Sequence, residues 1–133
     1  MKTAVDSTVL LDVLAADARY GQASREALRR AYDAGALVAC EVVWAEVHGA
    51  FGDDARFEAA LAGLGVEFLA TSREAAALAG AAWSRYQRRT RERGGRVLAD
   101  FVVAAHAQLQ ADALLARDRG FFAAFKGLRL VQP

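Results

Sequence analysis

Residues 2–12 read KTAVDSTVLLD, and in this stretch an acid stands where an apolar strand would give way to a helix. The three residues before Asp6 are short and apolar enough to form a buried strand. After Asp6, apolar residues from Val9 to Leu14 recur at helical spacing, with Ser7 or Thr8 as a candidate cap. The stretch therefore predicts a strand–acid–helix unit near the N-terminus.

A second stretch near the C-terminus, DALLARDRGFF at 112–122, repeats this arrangement. Residues 113–116 are apolar, an arginine follows, and Asp118 comes next. Ligands of open parallel sheets bind outside the carboxyl ends of the strands. If both strands are parallel, Asp6 and Asp118 lie at the same sheet edge. The alternative for each is that the acid only caps the helix that follows.

The rest of the chain alternates between strand and helix patterns. Strands are predicted at 3–5, 36–40, 66–70, 113–116 and 128–131. Helices are predicted at 7–17, 21–35, 41–51, 53–65, 71–93, 97–110 and 119–125. This alternation predicts an α/β fold with a parallel sheet and helices on both faces.

Length and composition set the remaining bounds. The 133 residues, 55% apolar and 25% charged, predict one globular domain over residues 1–133. The net charge of +1 gives no global sign of nucleic-acid binding, so any such binding must come from a local patch. Cys40 is the only cysteine, which excludes an internal disulfide and fits a reducing, cytoplasmic setting. We see neither a signal peptide nor a membrane-spanning stretch.

Two more acids stand in apolar surroundings. At helical spacing, Glu46 is flanked by valine, glycine and alanine, and Asp100 by valine and alanine. Burying an unpaired carboxylate costs several kcal/mol, so each acid needs a partner or a metal. A salt bridge to an arginine is the simpler alternative.

The four acids Asp6, Glu46, Asp100 and Asp118 make a stronger case together. Clustered carboxylates repel one another, and a divalent cation removes that conflict. Oxygen-only ligands suit Mg²⁺ or Mn²⁺. Such a site can hydrolyse phosphodiesters, with metal-activated water as the nucleophile.

Four stretches, in order, resemble the acidic motifs of PIN-domain ribonucleases. They are AVDSTVLLDVL, EVVWAEVHGAF, VLADFVVAAHA and LLARDRGFF. The resemblance is greatest to the VapC-type toxins of toxin–antitoxin modules. It implies a three-layer α/β/α sandwich, Mg²⁺- or Mn²⁺-dependent cleavage of RNA, a homodimer and an antitoxin partner. The family's acids correspond to Asp6, Glu46, Asp100 and Asp118. Ala116 departs from the family, which often has a threonine or serine there.

An arginine-rich segment precedes Asp100. Arg88, Arg89, Arg91, Arg93 and Arg96 are candidate contacts to RNA phosphates, since arginine suits bidentate phosphate binding. The alternative is a solvated helix end. Trp83 and Tyr86 could stack on bases, but core or dimer packing is favoured for both.

Other polar candidates are assigned structural roles. His48 and His106 point away from the acids, Cys40 is expected to be buried, and Asp12 lies off the direction of Asp6. Glu41 is expected at a helix start and Asp112 in a turn. The opposite face of the Glu46 helix, with Trp44 and Phe51, would meet another helix or a second subunit, and we expect a dimer interface there.

Several functions compete with a toxin. One is a housekeeping PIN-type nuclease of RNA processing, which genomic context would distinguish by the lack of an adjacent antitoxin gene. Another is a non-catalytic RNA- or protein-binding module. The presence of all four acids disfavours this function. A nucleotide binder is disfavoured because GxGxxG and GxxxxGK[ST] are absent. A receiver-type phosphoacceptor would need a lysine that Lys2 and Lys126 do not fit.

Overall fold

Five parallel strands form one central sheet. The computed structural model describes residues 1–89, 96–123 and 125–133. The strands are β1 (Lys2–Val5), β2 (Ala36–Ala39), β3 (Val66–Phe68), β4 (Ala113–Leu115) and β5 (Leu130–Val131). Their order across the sheet is β3-β2-β1-β4-β5, and every neighbouring pair is parallel. β1 and β4 are therefore adjacent at the centre.

Helices connect and cover the strands. They are α1 (Ser7–Leu14), α2 (Gly21–Ala34), α3 (Glu41–His48), α4 (Asp54–Leu64), α5 (Arg73–Arg89), α6 (Leu98–Gln110) and α7 (Arg119–Phe122). α6 packs against β1 and β4, and α5 packs on α6. The α/β/α sandwich with a parallel sheet is confirmed. Within the described part of the chain, none of the helices combines the length and apolar character that crossing a bilayer requires.

Local chemistry fixes several helix ends where the sequence predicts them. Asp53 caps α4, because its carboxylate accepts hydrogen bonds from the amides of Ala55 and Arg56. Gly65 ends α4 in the left-handed conformation with φ 73°. The Ser72 hydroxyl accepts from the amide of Ala75 at the start of α5.

Other predicted bounds are wrong. The residue at the cap position of α1 is Asp6, not Ser7 or Thr8. α7 ends at Phe122 instead of residue 125, and β5 begins at Leu130 instead of residue 128. The 128–131 pattern overestimates this edge strand, because only Leu130 and Val131 pair with β4.

The core consists of two apolar clusters. The larger one surrounds the central strands, where Val5, Leu114 and Leu115 are almost fully buried. The smaller one is centred on Phe101 of α6, with Ala75 and Ala79 of α5. Because neighbouring parts of the chain hold β1 and β4 on both sides, the loops at the carboxyl ends of these strands have fixed positions.

α4 and β3 cover the far face of α3. Trp44 meets Phe57 and Phe68 edge to face at ring distances of 5.4 and 5.3 Å, and Phe51 lies 5.9 Å from Phe57. Of the two expected coverings, another helix of the same chain is therefore what the structure shows.

Candidate functional site

Asp6 and Asp118 follow neighbouring strands at the same sheet edge, as predicted. Val5 of β1 pairs with Leu115 of β4. The Asp6 amide continues the ladder by donating to the Leu115 carbonyl at 3.0 Å. Asp118 lies three residues past the end of β4. The parallel register thus directs both acids to the carboxyl end of the sheet.

The Asp6 carboxylate does not cap α1. Although Asp6 occupies the cap position, its side chain makes no capping hydrogen bond. It accepts instead from the Thr8 hydroxyl at 2.6 Å. Burial raises the pKa of Asp6, and the charges of Asp100 and Asp118 raise it further, against the opposing Thr8 hydrogen bond. The fold thus places a partly buried carboxylate beside other acids.

Asp118 has two structural contacts. Its carboxylate caps α7 by accepting from the Phe121 amide at 3.2 Å. It also accepts from Arg96 Nη1 at 2.5 Å. The hydrogen bond from Arg96 holds the pKa of Asp118 below its usual range. Asp118 therefore caps the helix that follows it, but capping is not its only contact, whereas the capping predicted as an alternative for Asp6 is wrong.

Asp100 lies in the first turn of α6. Its Oδ2 accepts from the Val97 amide at 3.2 Å, a favourable place for an acid at a helix N-terminus. Its charge acts on both Asp6 and Glu46. Asp100 therefore belongs to the same electrostatic neighbourhood as the acid after β1.

Glu46 is exposed, whereas the sequence predicts that it is buried. α3 ends at His48, so Gly49 and Ala50 do not extend an apolar helical face around it. Its carboxylate is still partly shielded from water. This desolvation raises the pKa of Glu46, and so do the charges of Asp6 and Asp100, against a hydrogen bond from Ser7.

The four acids form a loose group, not a closed cage. Among the residues that the structure describes, no three Asp, Glu, His or Cys side chains come close enough to hold a metal ion as they stand. The mutual pKa effects nevertheless connect Asp6 with Asp100 and Asp118, and Glu46 with Asp6 and Asp100. An oxygen-only donor set with mutual repulsion fits a hard divalent cation.

Sequence reasoning missed two contacts at this edge. Arg96 is predicted only as a phosphate contact, whereas it pairs with Asp118 and lies over the Phe121 ring at 4.5 Å. Thr8 is predicted only as a cap, whereas its hydroxyl supports Asp6. The Thr8 contact could have been inferred from the sequence, because Thr8 lies two residues from Asp6. The pair of Arg96 and Asp118 could not, because the two residues are 22 positions apart.

A buried ion pair lies behind the acidic edge. Arg117 donates from Nε and Nη2 to Asp12 at 2.8 and 3.1 Å, and Ser24 Oγ donates to Asp12 at 2.8 Å. Asp12 is only 5% exposed. The Arg117 guanidinium also stacks over Tyr20 at 3.9 Å. The structural role predicted for Asp12 is confirmed.

Both histidines have structural contacts. His48 Nε2 pairs with Asp54 at 2.5 Å, and buried His106 bonds through Nε2 to the Leu69 carbonyl at 2.8 Å. Burial lowers the pKa of His106. Neither contact reaches the acids, so the predicted structural roles are confirmed.

The remaining polar predictions also hold. Cys40 is buried, and burial raises the pKa of its thiol. Glu41 lies in the first turn of α3 and accepts from the Thr71 amide and hydroxyl, both at 2.9 Å. Asp112 lies between α6 and β4, where its carboxylate accepts from the Lys2 amide at 2.6 Å. Ala116 is fully buried, and its methyl group provides no hydroxyl to the acids.

The arginine segment is described in part. Arg88 and Arg89 are exposed in the last turn of α5, and Arg91 and Arg93 lie outside the described residues. Trp83 stacks on Tyr86 at 5.8 Å, and both rings contact Phe101. Trp83 and Tyr86 therefore pack against the core, as favoured from the sequence, while each remains partly exposed.

Comparisons with known proteins agree with this architecture. A family model described as the PIN domain matches residues 3–127. No curated protein matches the chain in sequence.

Solved structures share the fold at low identity. VapBC2 of Rickettsia felis, bound to a DNA fragment from its promoter, has a TM-score of 0.73 and 14% identity, covering 99% of this chain and 98% of that one. A toxin–antitoxin complex from Klebsiella pneumoniae has 0.66 and 22%, covering 97% and 95%. VapC20 of Mycobacterium tuberculosis, a toxin that cleaves the sarcin–ricin loop, has 0.61 and 18%, covering 96% and 98%.

Proposed function

The chain belongs to the PIN-domain family, and we propose that it is a metal-dependent endoribonuclease acting as the toxin of a toxin–antitoxin pair. One observation contributes most to this proposal. The Asp6 carboxylate is partly buried beside Asp100 and Asp118, has a raised pKa and makes no capping bond. Repulsion and desolvation both oppose the charge of such a group, and the hydrogen bond from Thr8 offsets them only in part. A role in binding a cation explains its position.

Asp6, Glu46, Asp100 and Asp118 are the residues proposed to hold Mg²⁺ or Mn²⁺. When bound, such a cation supplies Lewis-acid polarisation of the phosphoryl group and neutralises charge. Thr8 orients Asp6 through its hydroxyl, and the first turn of α6 orients Asp100. Arg96 neutralises Asp118 and could exchange this carboxylate for an RNA phosphate, because both are anions that offer paired oxygens to a guanidinium.

The arginines before Asp100 are proposed phosphate contacts. Arg88 and Arg89 extend into solvent from the C-terminal turn of α5, where an RNA backbone could reach them. Arg91 and Arg93 belong to the same proposal by sequence alone. Together with Arg96, they would place positive charge along the approach to the acids.

Two protein partners are also proposed. VapBC structures share this fold, which supports an antitoxin that blocks the acidic edge. A homodimer is proposed as well, and Val97, Leu98 and Leu109 provide apolar side chains about half exposed on or beside α6. Co-purification with the product of a small adjacent gene would test the first partner, and sedimentation of the purified chain would test the second.

Incubation with RNA tests the activity. Purified protein is mixed with total RNA in Mg²⁺ or in EDTA, and new 5′ ends are mapped. We expect discrete new ends in Mg²⁺ and none in EDTA. The same ends in both conditions would contradict metal dependence, and no new ends in either would contradict the nuclease.

A further inference from the structure

A cavity of about 750 Å³ opens between α5, α6 and the segment after β4. One face of α5 lines it, through residues spaced three or four apart that include Leu78, Ala82 and Tyr86. Opposite this face lie Phe121 and Phe125. Two of its lining residues, Arg89 and Arg96, are proposed above as phosphate contacts, but the apolar part of the cavity has no role in that proposal.

The floor of the cavity is aromatic. Phe101 lies at its centre, with ring distances of 5.4 Å to Tyr86, 5.1 Å to Phe121 and 5.8 Å to Phe125. Phe101 is almost fully buried, whereas the other three rings are partly exposed. Part of each of these three rings is therefore accessible to an aromatic ligand, although Arg96 lies over Phe121 and Trp83 stacks on Tyr86.

The rim of the cavity is cationic. Arg85, Arg89, Arg96 and Lys126 line it, and the described lining includes no acid. Of these four, Arg96 alone is ion-paired with another residue that the structure describes. The rim therefore favours a ligand with negative charges around a flat, apolar centre.

Arg96 connects the cavity with the acidic edge. Its guanidinium lies over the Phe121 ring at 4.5 Å and pairs with Asp118 at 2.5 Å. Arg96 is therefore shared between the lining of the cavity and Asp118, so an anionic chain held in the cavity lies next to one of the four acids.

We propose that this cavity binds a nucleotide of single-stranded RNA, with its base on the rings of Tyr86, Phe121 and Phe125 and its phosphates on Arg85, Arg89 and Arg96. The inference rests on the proposed nuclease function and adds to it the site that holds the strand beside the acids. Base–aromatic stacking combined with a basic groove is the general mode by which proteins hold single strands. Gln108, also in the lining, offers a donor and an acceptor to the edge of the base.

RNA fits this surface better than a peptide or a second copy of the chain. A peptide with apolar side chains would not require the cationic side chains at the rim of the cavity. A second copy whose twofold axis passed through the cavity would place the like charges of the two rims opposite one another. The shared residue Arg96 also directs the occupant toward the acids, which a subunit contact does not require.

Binding of short oligonucleotides tests the proposal. The protein carries Asp6→Asn and is kept in EDTA so that RNA stays intact. The probes are a random-sequence octaribonucleotide pool and an abasic octamer with the same number of phosphates. We expect Tyr86→Leu to weaken binding of the pool by roughly 5- to 150-fold and to leave the abasic octamer unaffected. Phe68→Leu, at an exposed ring of the distant strand β3, is the matched control.

A second variant tests the rim without touching the core. The double substitution Arg85→Gln with Arg89→Gln should weaken the binding of both probes. It should also reduce the slope of log affinity against log salt by about 0.7 for each phosphate that is no longer neutralised. The control is Arg30→Gln with Arg56→Gln, two exposed arginines of α2 and α4. This pair keeps the test decisive if Tyr86→Leu lowers the melting temperature.

Three results would overturn the base site. One is that both cavity variants bind the octaribonucleotide pool as tightly as the parent protein does. The same result is expected if the occupant of the cavity is an acidic peptide. Another is an equal loss for the pool and the abasic octamer in a folded Tyr86→Leu protein. The third is dissociation of a dimer with unchanged RNA affinity. Cleavage is measured separately on the wild type, so failure of the nuclease proposal is distinguishable from failure of this site.

Discussion

At the scale of single residues, Asp6 and Asp118 occupy similar positions after neighbouring strands yet make different contacts. Asp118 is neutralised by Arg96 and used as a helix cap. Asp6 accepts only neutral hydrogen bonds, from the Thr8 hydroxyl and the Ser7 amide, and lies beside like charges. The sequence predicts both positions, because each follows an apolar strand. It cannot predict this difference, because Arg96 comes from a distant segment.

The repulsion between Asp6 and its acidic neighbours has a consequence for stability. Asp6→Asn keeps the volume of the side chain and removes repulsion with Asp100 and Asp118, so the metal-free protein at pH 7 should melt a few degrees higher than wild type. Differential scanning calorimetry in EDTA measures this. Asp33→Asn, an exposed acid of α2, is the control and should leave the melting temperature unchanged. A lower melting temperature for Asp6→Asn would show that the charge has a partner in the fold.

His106 gives stability a pH dependence. Its folded pKa is lowered by burial, despite the hydrogen bond to Leu69 and the nearby charge of Glu41. The unfolded chain therefore takes up a proton first as the pH falls below about 6.5, and stability present above that pH is lost toward the folded pKa. Urea unfolding between pH 7.5 and about 5 should show this loss in wild type and a smaller one in His106→Gln. Parallel curves for the two proteins would rule out the assignment to His106.

At the scale of elements, the Asp12–Arg117 pair connects α1 with the loop between β4 and α7. Arg117 precedes Asp118, and Asp12 lies on the helix that follows Asp6. The pair thus positions two acids of the site relative to each other. The sequence indicates that Asp12 is structural, but its partner is 105 residues away and only the parallel packing of β1 and β4 brings them together.

Breaking this pair should destabilise the fold. Asp12→Asn leaves Arg117 without its counter-charge, and removing one partner of a buried pair costs roughly 3–5 kcal/mol. Because the Arg117 side chain is 30% exposed, we expect the lower end, about 3 kcal/mol. Urea unfolding measures the change, with Asp33→Asn as the control. A loss below about 1 kcal/mol, the scale of a surface pair, would contradict a structural role.

Periodicity predicts the long elements better than the short ones. α2 and α4 are correct to within one or two residues, because a glycine ends each helix and Asp53 caps α4. α7 and β5 are shorter than predicted, because few hydrogen bonds of their own define them and neighbouring elements decide where they end. Glu46 is exposed for a related reason, since α3 stops before a full apolar face can surround it.

At the scale of the whole molecule, a cation that binds only the folded chain should raise its stability. Ligand at about 100 times its dissociation constant adds roughly 2.7 kcal/mol. We therefore expect the melting temperature to rise with Mn²⁺ concentration, and Glu46→Gln to reduce the rise. Glu58→Gln, an exposed acid of α4, is the matched control and should behave like wild type. A melting curve that millimolar Mn²⁺ leaves unchanged would remove the main support for a shared cation site.

We propose that the acids at the carboxyl edge of the sheet carry out the cleavage of RNA. The most direct measurement is the initial rate of cleavage, in Mg²⁺, of an oligonucleotide that contains a mapped site. We expect Asp6→Asn and Asp100→Asn each to lower the rate by at least about a hundredfold, the scale of losing a key electrostatic contributor. Asp33→Asn should retain the wild-type rate. Near-wild-type cleavage by a well-folded Asp6→Asn or Asp100→Asn protein would contradict the assignment of the site.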